Sequence, residues 1–149
     1  LTLGRAHLAS AQTAPEDRHS RRIQAAEALN RAVDGLRHAA QEHFLPRGLL
    51  ARAAFHRLGK DFPAATEDLA EALEIAERGG MRLHECDAHL ELARLGRDQG
   101  NPAEARRHLA LAKKLVTQTG YKRREREVAY LERTLSPTLS PSPLGERAG

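Results

Sequence analysis

An offset of 40 residues lays the chain over itself, and this self-similarity constrains the fold more than any other feature. It carries Leu50 onto Leu90, Ala53 onto Ala93, Arg57 onto Arg97 and Asp61 onto Asn101, then Ala65 onto Ala105, Leu69 onto Leu109, Ala72 onto Ala112 and Gly80 onto Gly120. Applied backwards, it takes Ala65, Leu69, Ala72 and Leu73 onto Ala25, Leu29, Ala32 and Val33. Three copies share one register. A unit of this size cannot bury its own apolar face, so neighbours must stack to make a core.

Each unit reads as two helices. Asn101-Pro102-Ala103-Glu104 is a helix start, with Asn101 placed to accept from free backbone amides, Pro102 in the first turn and Glu104 placed to reach back. Asp61-Phe62-Pro63 is its weaker equivalent, and Gly79-Gly80 and Gly120 supply stops 40 residues apart. Ala65, Leu69, Ala72, Leu73 and Ala76 keep the three-and-four spacing of a single apolar stripe, with Glu67, Asp68, Glu71 and Glu74 elsewhere. The composition agrees: 26 alanines and 22 leucines stand against five Ile and Val together, which favours helix over strand. With three Phe, two Tyr and no Trp, the core is one of small, close-packed side chains, and stacking platforms for single-stranded nucleic acid are excluded.

The pattern predicts helices at about 1–11, 17–42, 47–59, 62–78, 82–98 and 102–118, grouped into units of about 1–45, 46–81 and 82–121, with a capping helix at 122–134. From Thr134 the chain repeats Thr-Leu-Ser-Pro and then Ser-Pro, a composition that predicts a disordered tail over 135–149. That tail looks like peptides made when a reading frame runs into repetitive intergenic bacterial DNA; a regulated Ser-Pro tail is the functional alternative. Leu1 opens the chain in what reads as the middle of an amphipathic helix, which predicts a fragment of something longer. The single cysteine, Cys86, requires no oxidising compartment, and no stretch has the ~20 apolar residues of a membrane span or the plan of a signal peptide. A cytoplasmic, all-α protein with no membrane role is the expectation.

The repeat resembles the tetratricopeptide repeat. A small residue within the first helix, a glycine before a short turn, and alanine, a large residue and alanine at spacings of four and three are Ala93, Gly100, Ala105, Leu109 and Ala112 in the last unit. In the unit before they are Ala53, Lys60, Ala65, Leu69 and Ala72, and in the first they are Gly4, Ala25, Leu29 and Ala32. Departures are the longer period, lysine at the glycine position of the middle unit, an insertion around Thr13 to His19 and missing family aromatics. The phrases Arg31-Ala32-Val33-Asp34-Gly35-Leu36-Arg37 and Ala76-Glu77-Arg78-Gly79-Gly80-Met81 resemble the C-terminal repeats of large bacterial signalling ATPases of the NACHT or NB-ARC type. The resemblance implies a right-handed superhelix of about three antiparallel helix hairpins plus the cap.

It also implies a concave groove formed by the first helices, lined by Arg5, Leu8, Arg47, Leu50, Ala54, Arg57, Asp87, Leu90, Arg94, Arg97 and Asp98. Five of these eleven are arginines, whose forked donors suit carboxylates, so an acidic or C-terminal peptide segment is the expected ligand class. The asparagine-containing carboxylate clamp of some family members is not reproduced.

Other chemistry is weaker. His84-Glu85-Cys86-Asp87-Ala88-His89 offers at most a two-ligand fragment, with no second ligand pair nearby, so Cys86 is expected in the core and the histidines at helix boundaries or interfaces; no metal or cofactor is expected. No HExxH, phosphate-binding glycine loop, GxSxG or GxGxxG is present. The net charge of +4 hides a basic end of Arg106, Arg107, Lys113, Lys114, Lys122, Arg123, Arg124 and Arg126. Such an end meets phosphates or acidic protein surfaces. The reading is therefore a non-enzymatic scaffold for protein–protein interaction, its partner a protein or peptide, or another domain of the same parent chain. A basic module for nucleic acid is the alternative, and an enzyme with a metal at His84, Cys86 and His89 a distant third.

Overall fold

The computed structural model describes residues 15–136, and these are helical throughout, with no strand: α1 (Pro15–His38), α2 (Leu45–Leu58), α3 (Phe62–Arg78), α4 (Arg82–Asp98), α5 (Pro102–Thr119), a 3-10 turn (Lys122–Arg124) and α6 (Glu125–Leu135). The four helices expected between 47 and 118 are found within two residues of their expected ends, whereas α1, expected at 17–42, ends at His38, and the cap, expected at 122–134, opens as a 3-10 turn before α6 starts at Glu125. The expected first helix at 1–11, the groove residues Arg5 and Leu8, and most of the expected tail lie outside the described residues.

Two joints start helices as the sequence predicts. The Asp61 carboxylate accepts from the Ala64 amide at 3.3 Å, and the Asn101 side chain accepts from the Glu104 amide at 3.2 Å. Glu104 does not reach back to complete a capping box; its carboxylate takes both the Nε and an Nη of Arg107.

Helix ends follow one rule. Ala40, Lys60, Gly80, Gly100 and Gly120 all have left-handed backbone, with φ of 51, 62, 63, 72 and 68°, one every 20 residues. At the first four, the left-handed residue's amide donates to the carbonyl three residues back and the next amide to the carbonyl five back, as from Lys60 to Arg57 and from Asp61 to His56. Gly120 closes with a single bond from its own amide to the Val116 carbonyl.

Two hairpins result, α2 with α3 and α4 with α5, and α2, α4 and α6 pack in succession along one side. The core runs through the array as three linked clusters. Val33, Leu45, Leu49, Ala72 and Ile75 join α1 to the first hairpin; Ala53, Ala65, Leu69 and Leu95 join that hairpin to α4. Cys86, Leu90, Ala93, Ala105, Leu109, Ala112, Val128 and Leu131 close the second hairpin against α6. Ala65, Ala72, Ala105 and Ala112 are all 0% exposed, so the repeated alanines sit at helix contacts. Their first-unit equivalents differ, Ala25 being half-buried and Ala32 exposed; Leu29 is half-buried and Val33 buried. Gly96 completes the closest approach, since a Cβ there would stand 2.9 Å from the Ala105 amide nitrogen on the facing helix.

The folded part extends past the expected boundary. Leu135, assigned to the tail by its Ser-Pro context, is the last residue of α6; it is 7% exposed, and its carbonyl accepts from Arg106. The stripe Val128, Leu131, Leu135 has the three-and-four spacing of a helix face, and that periodicity outweighs the composition around it.

Candidate functional site

The side shared by α2, α4 and α6 carries most of the expected groove residues, but the arginines there are not a positive strip. They form an alternating chain of charges. Arg97 donates to Asp98, which also accepts from Arg57 at 2.6 Å; Arg57 donates through Nε to Glu91 at 2.5 Å, and Glu91 accepts from Arg94 at 2.7 Å. Arg94 continues to Glu127, which also takes Arg124, and Arg124 returns through Nε to Asp87 at 2.7 Å. Four guanidiniums meet four carboxylates, so the ladder is neutral, and it ties α2 to α4 and α4 to the cap.

Arg57 departs furthest from its expected role. It is 8% exposed and engages two carboxylates, one of which, Glu91, is itself 6% exposed. Burial works against its charge, and the hydrogen bonds it donates to Glu91 and Asp98 outweigh it, leaving the guanidinium pKa above its ordinary value. On Asp98 burial acts to raise the carboxyl, yet donation from Arg57 and Arg97 holds it below the usual range; Glu127 is held down in the same way by Arg94 and Arg124. These groups are committed to one another.

A cleft of ≈ 480 Å³ opens beside the ladder, walled by α2, α4 and the start of the cap. Of the expected groove residues, Arg47, Leu50, Asp87, Leu90 and Arg94 line it; Ala54, Arg57, Arg97 and Asp98 do not. Its apolar lining is Leu50 and Ala51 from α2 and Leu90 from α4. The cap adds Tyr121, Arg123, Arg124 and Glu127, none of which the groove reading included. The Arg124 guanidinium lies 5.7 Å from the centre of the Tyr121 ring. Two cations in the lining, Arg47 and Arg123, are exposed and have no ion-pair partner among the described residues. A sequence signal for the ladder exists: Arg37 and Glu71, Arg57 and Glu91, and Arg94 and Glu127 stand 34, 34 and 33 residues apart, each pair bridging successive units.

The histidines and the cysteine are held by different partners. Cys86 is fully buried, its thiol donates to the Ala112 carbonyl, and burial followed by the charge of Asp87 raises its pKa to about 11. His89 Nδ1 lies 3.0 Å from His108 Nδ1, with the rings stacked across α4 and α5. Arg107 donates to His108 Nε2, which leaves the hydrogen on His108 Nδ1 and makes His89 Nδ1 the acceptor. Burial first, then His108 and Arg107, lowers the His89 pKa to about 4. His84, at the start of α4, has a buried Nδ1 with no hydrogen-bond partner among the described residues. The three are not brought together, and no group of three or more metal-ligating side chains occurs among the described residues.

The basic end is thinned by pairing. Arg107 is taken by Glu104, Lys113 by Glu132, Arg124 by Asp87 and Glu127, and Arg106 by the Leu135 carbonyl. Lys114, Lys122, Arg123 and Arg126 are exposed and have no ion pair among the described residues. No helix among the described residues is long and apolar enough to cross a membrane. Compared with protein-family models, curated proteins and solved structures, the chain finds no match in any of the three.

Proposed function

We propose that the chain is a non-enzymatic helical-repeat scaffold, a tetratricopeptide-like right-handed superhelix acting as an arm of a larger bacterial signalling protein. Its work is to dock a segment of another protein, or of its own parent chain, in the cleft between α2, α4 and the cap. One observation carries this reading: the cleft combines apolar lining from Leu50, Ala51 and Leu90 with charged side chains of both signs, the combination that suits a peptide segment. The pairing of Arg107, Lys113 and Arg124 supports a protein ligand over nucleic acid, because it removes cations that phosphates need.

Ala51 allows a direct test, since its side chain is exposed and lines the cleft. Ala51→Trp fills the space without touching the core. A partner captured by the wild-type chain should be lost by Ala51→Trp and kept by Ala103→Trp, which changes an equally exposed alanine on α5, with both variants melting near the wild-type temperature. Capture by both variants alike would place the docking surface elsewhere.

A further inference from the structure

Resting on that reading, we infer that the cleft selects an acidic side chain of its ligand segment through Arg47 and Arg123, and that the ladder arginines take no part in selection. The charge census supports this. The lining holds four cations, Arg47, Arg94, Arg123 and Arg124, and three anions, Asp87, Glu91 and Glu127. Arg94 and Arg124 are spent on those anions, each meeting two carboxylates. A ligand carboxylate reaching for them must displace an internal carboxylate that is already desolvated and aligned, and the exchange gains nothing.

Arg47 and Arg123 face no such competitor. Arg47 comes from the first turn of α2 and Arg123 from the 3-10 turn, so the cleft takes one unpaired guanidinium from α2 and one from the cap, with Leu50, Ala51 and Leu90 also in the lining. An entering carboxylate gains charge-assisted hydrogen bonds there without breaking any. Its apolar neighbours in the segment meet Leu50 and Ala51. His84 also lines the cleft, with a buried Nδ1 that has no hydrogen-bond partner among the described residues. The ligand is therefore an extended protein segment alternating acidic and apolar residues, since successive side chains of an extended chain point to opposite sides and can meet the cations and the apolar lining in turn.

The probe is a short peptide, acetylated and amidated so that no terminal charge contributes, alternating leucine and glutamate. Its partner is the same peptide with glutamine for glutamate. Amide NMR shifts of the full chain report where each binds. The Leu/Glu peptide should shift amides around Leu50, Leu90 and Tyr121, bind more tightly than the Leu/Gln peptide, and weaken about tenfold or more in the double variant Arg47→Gln/Arg123→Gln. Arg133→Gln, which removes an exposed unpaired arginine outside the cleft lining, should leave the affinity unchanged. Shifts at the cleft with no loss in the double variant would overturn the selection by Arg47 and Arg123 while leaving the docking cleft intact. Shifts confined to another surface, or no binding by the Leu/Glu peptide, would overturn the inference, and the docking reading then stands or falls with Ala51→Trp. A short DNA duplex that binds more tightly than the peptide and depends on the same two arginines would assign the cations to phosphate instead.

Discussion

Arg57 and Arg97 occupy equivalent places in the repeat, yet one is buried in a ladder and the other is half-exposed beside Asp98. The repeat shows which residues correspond, but it does not show which of them has a following unit to bury it. Arg57 has α4 beyond it, carrying Glu91 and Asp98. A buried pair broken on one side costs about 3 to 5 kcal/mol where it leaves a charge without a partner, and because Glu91 keeps Arg94 and Asp98 keeps Arg97 the lower end applies. Arg57→Met should therefore lower the stability measured by urea unfolding by about 3 kcal/mol. Adding Glu91→Leu should recover part of that loss, because it removes a buried carboxylate that has lost one of its two guanidiniums, while Arg94 keeps Glu127. A single variant as stable as wild type would show that the ladder is not formed in solution.

At the scale of helices, apolar stripes and caps were enough to place every element from Leu45 onward. The 20-residue spacing of the joints was hidden because two of its five left-handed residues, Ala40 and Lys60, are not glycine. The sequence rule for a helix stop looks for glycine, so it finds 80, 100 and 120 and passes over the other two. A Cβ in this conformation costs about 1 kcal/mol or more. Lys60→Gly and Ala40→Gly, both at exposed positions, should each raise stability by about 0.5 to 1 kcal/mol, and Gly100→Ala should lower it by a similar amount. Thermal melts of the three variants read the sign directly. A fall in Tm for Lys60→Gly would mean that the lysine side chain does more than occupy a strained turn.

For the molecule as a whole, the fold boundary depends on α6. Truncation after Ser136 should leave the melting temperature unchanged, whereas truncation after Thr134 removes the buried Leu135 and the carbonyl that receives Arg106, at a cost of about 2 kcal/mol. Equal melts for the two truncations would show that Leu135 is dispensable. The cleft was legible only in its α2 and α4 walls. Its third wall comes from the cap, which falls outside the repeat offset, and Tyr121, Arg123, Arg124 and Glu127 therefore had no counterpart to mark them. The regular joints carry one more consequence. Because every left-handed residue reverses the chain after the same count, each helix has a parity: even steps return to the side of α2, α4 and α6, and odd steps cross to the other. Gaining or losing a single helix of about 20 residues would turn every later ligand-facing residue outward, whereas a change of two restores the pattern. This chain can lengthen or shorten only by whole pairs if its cleft is to survive.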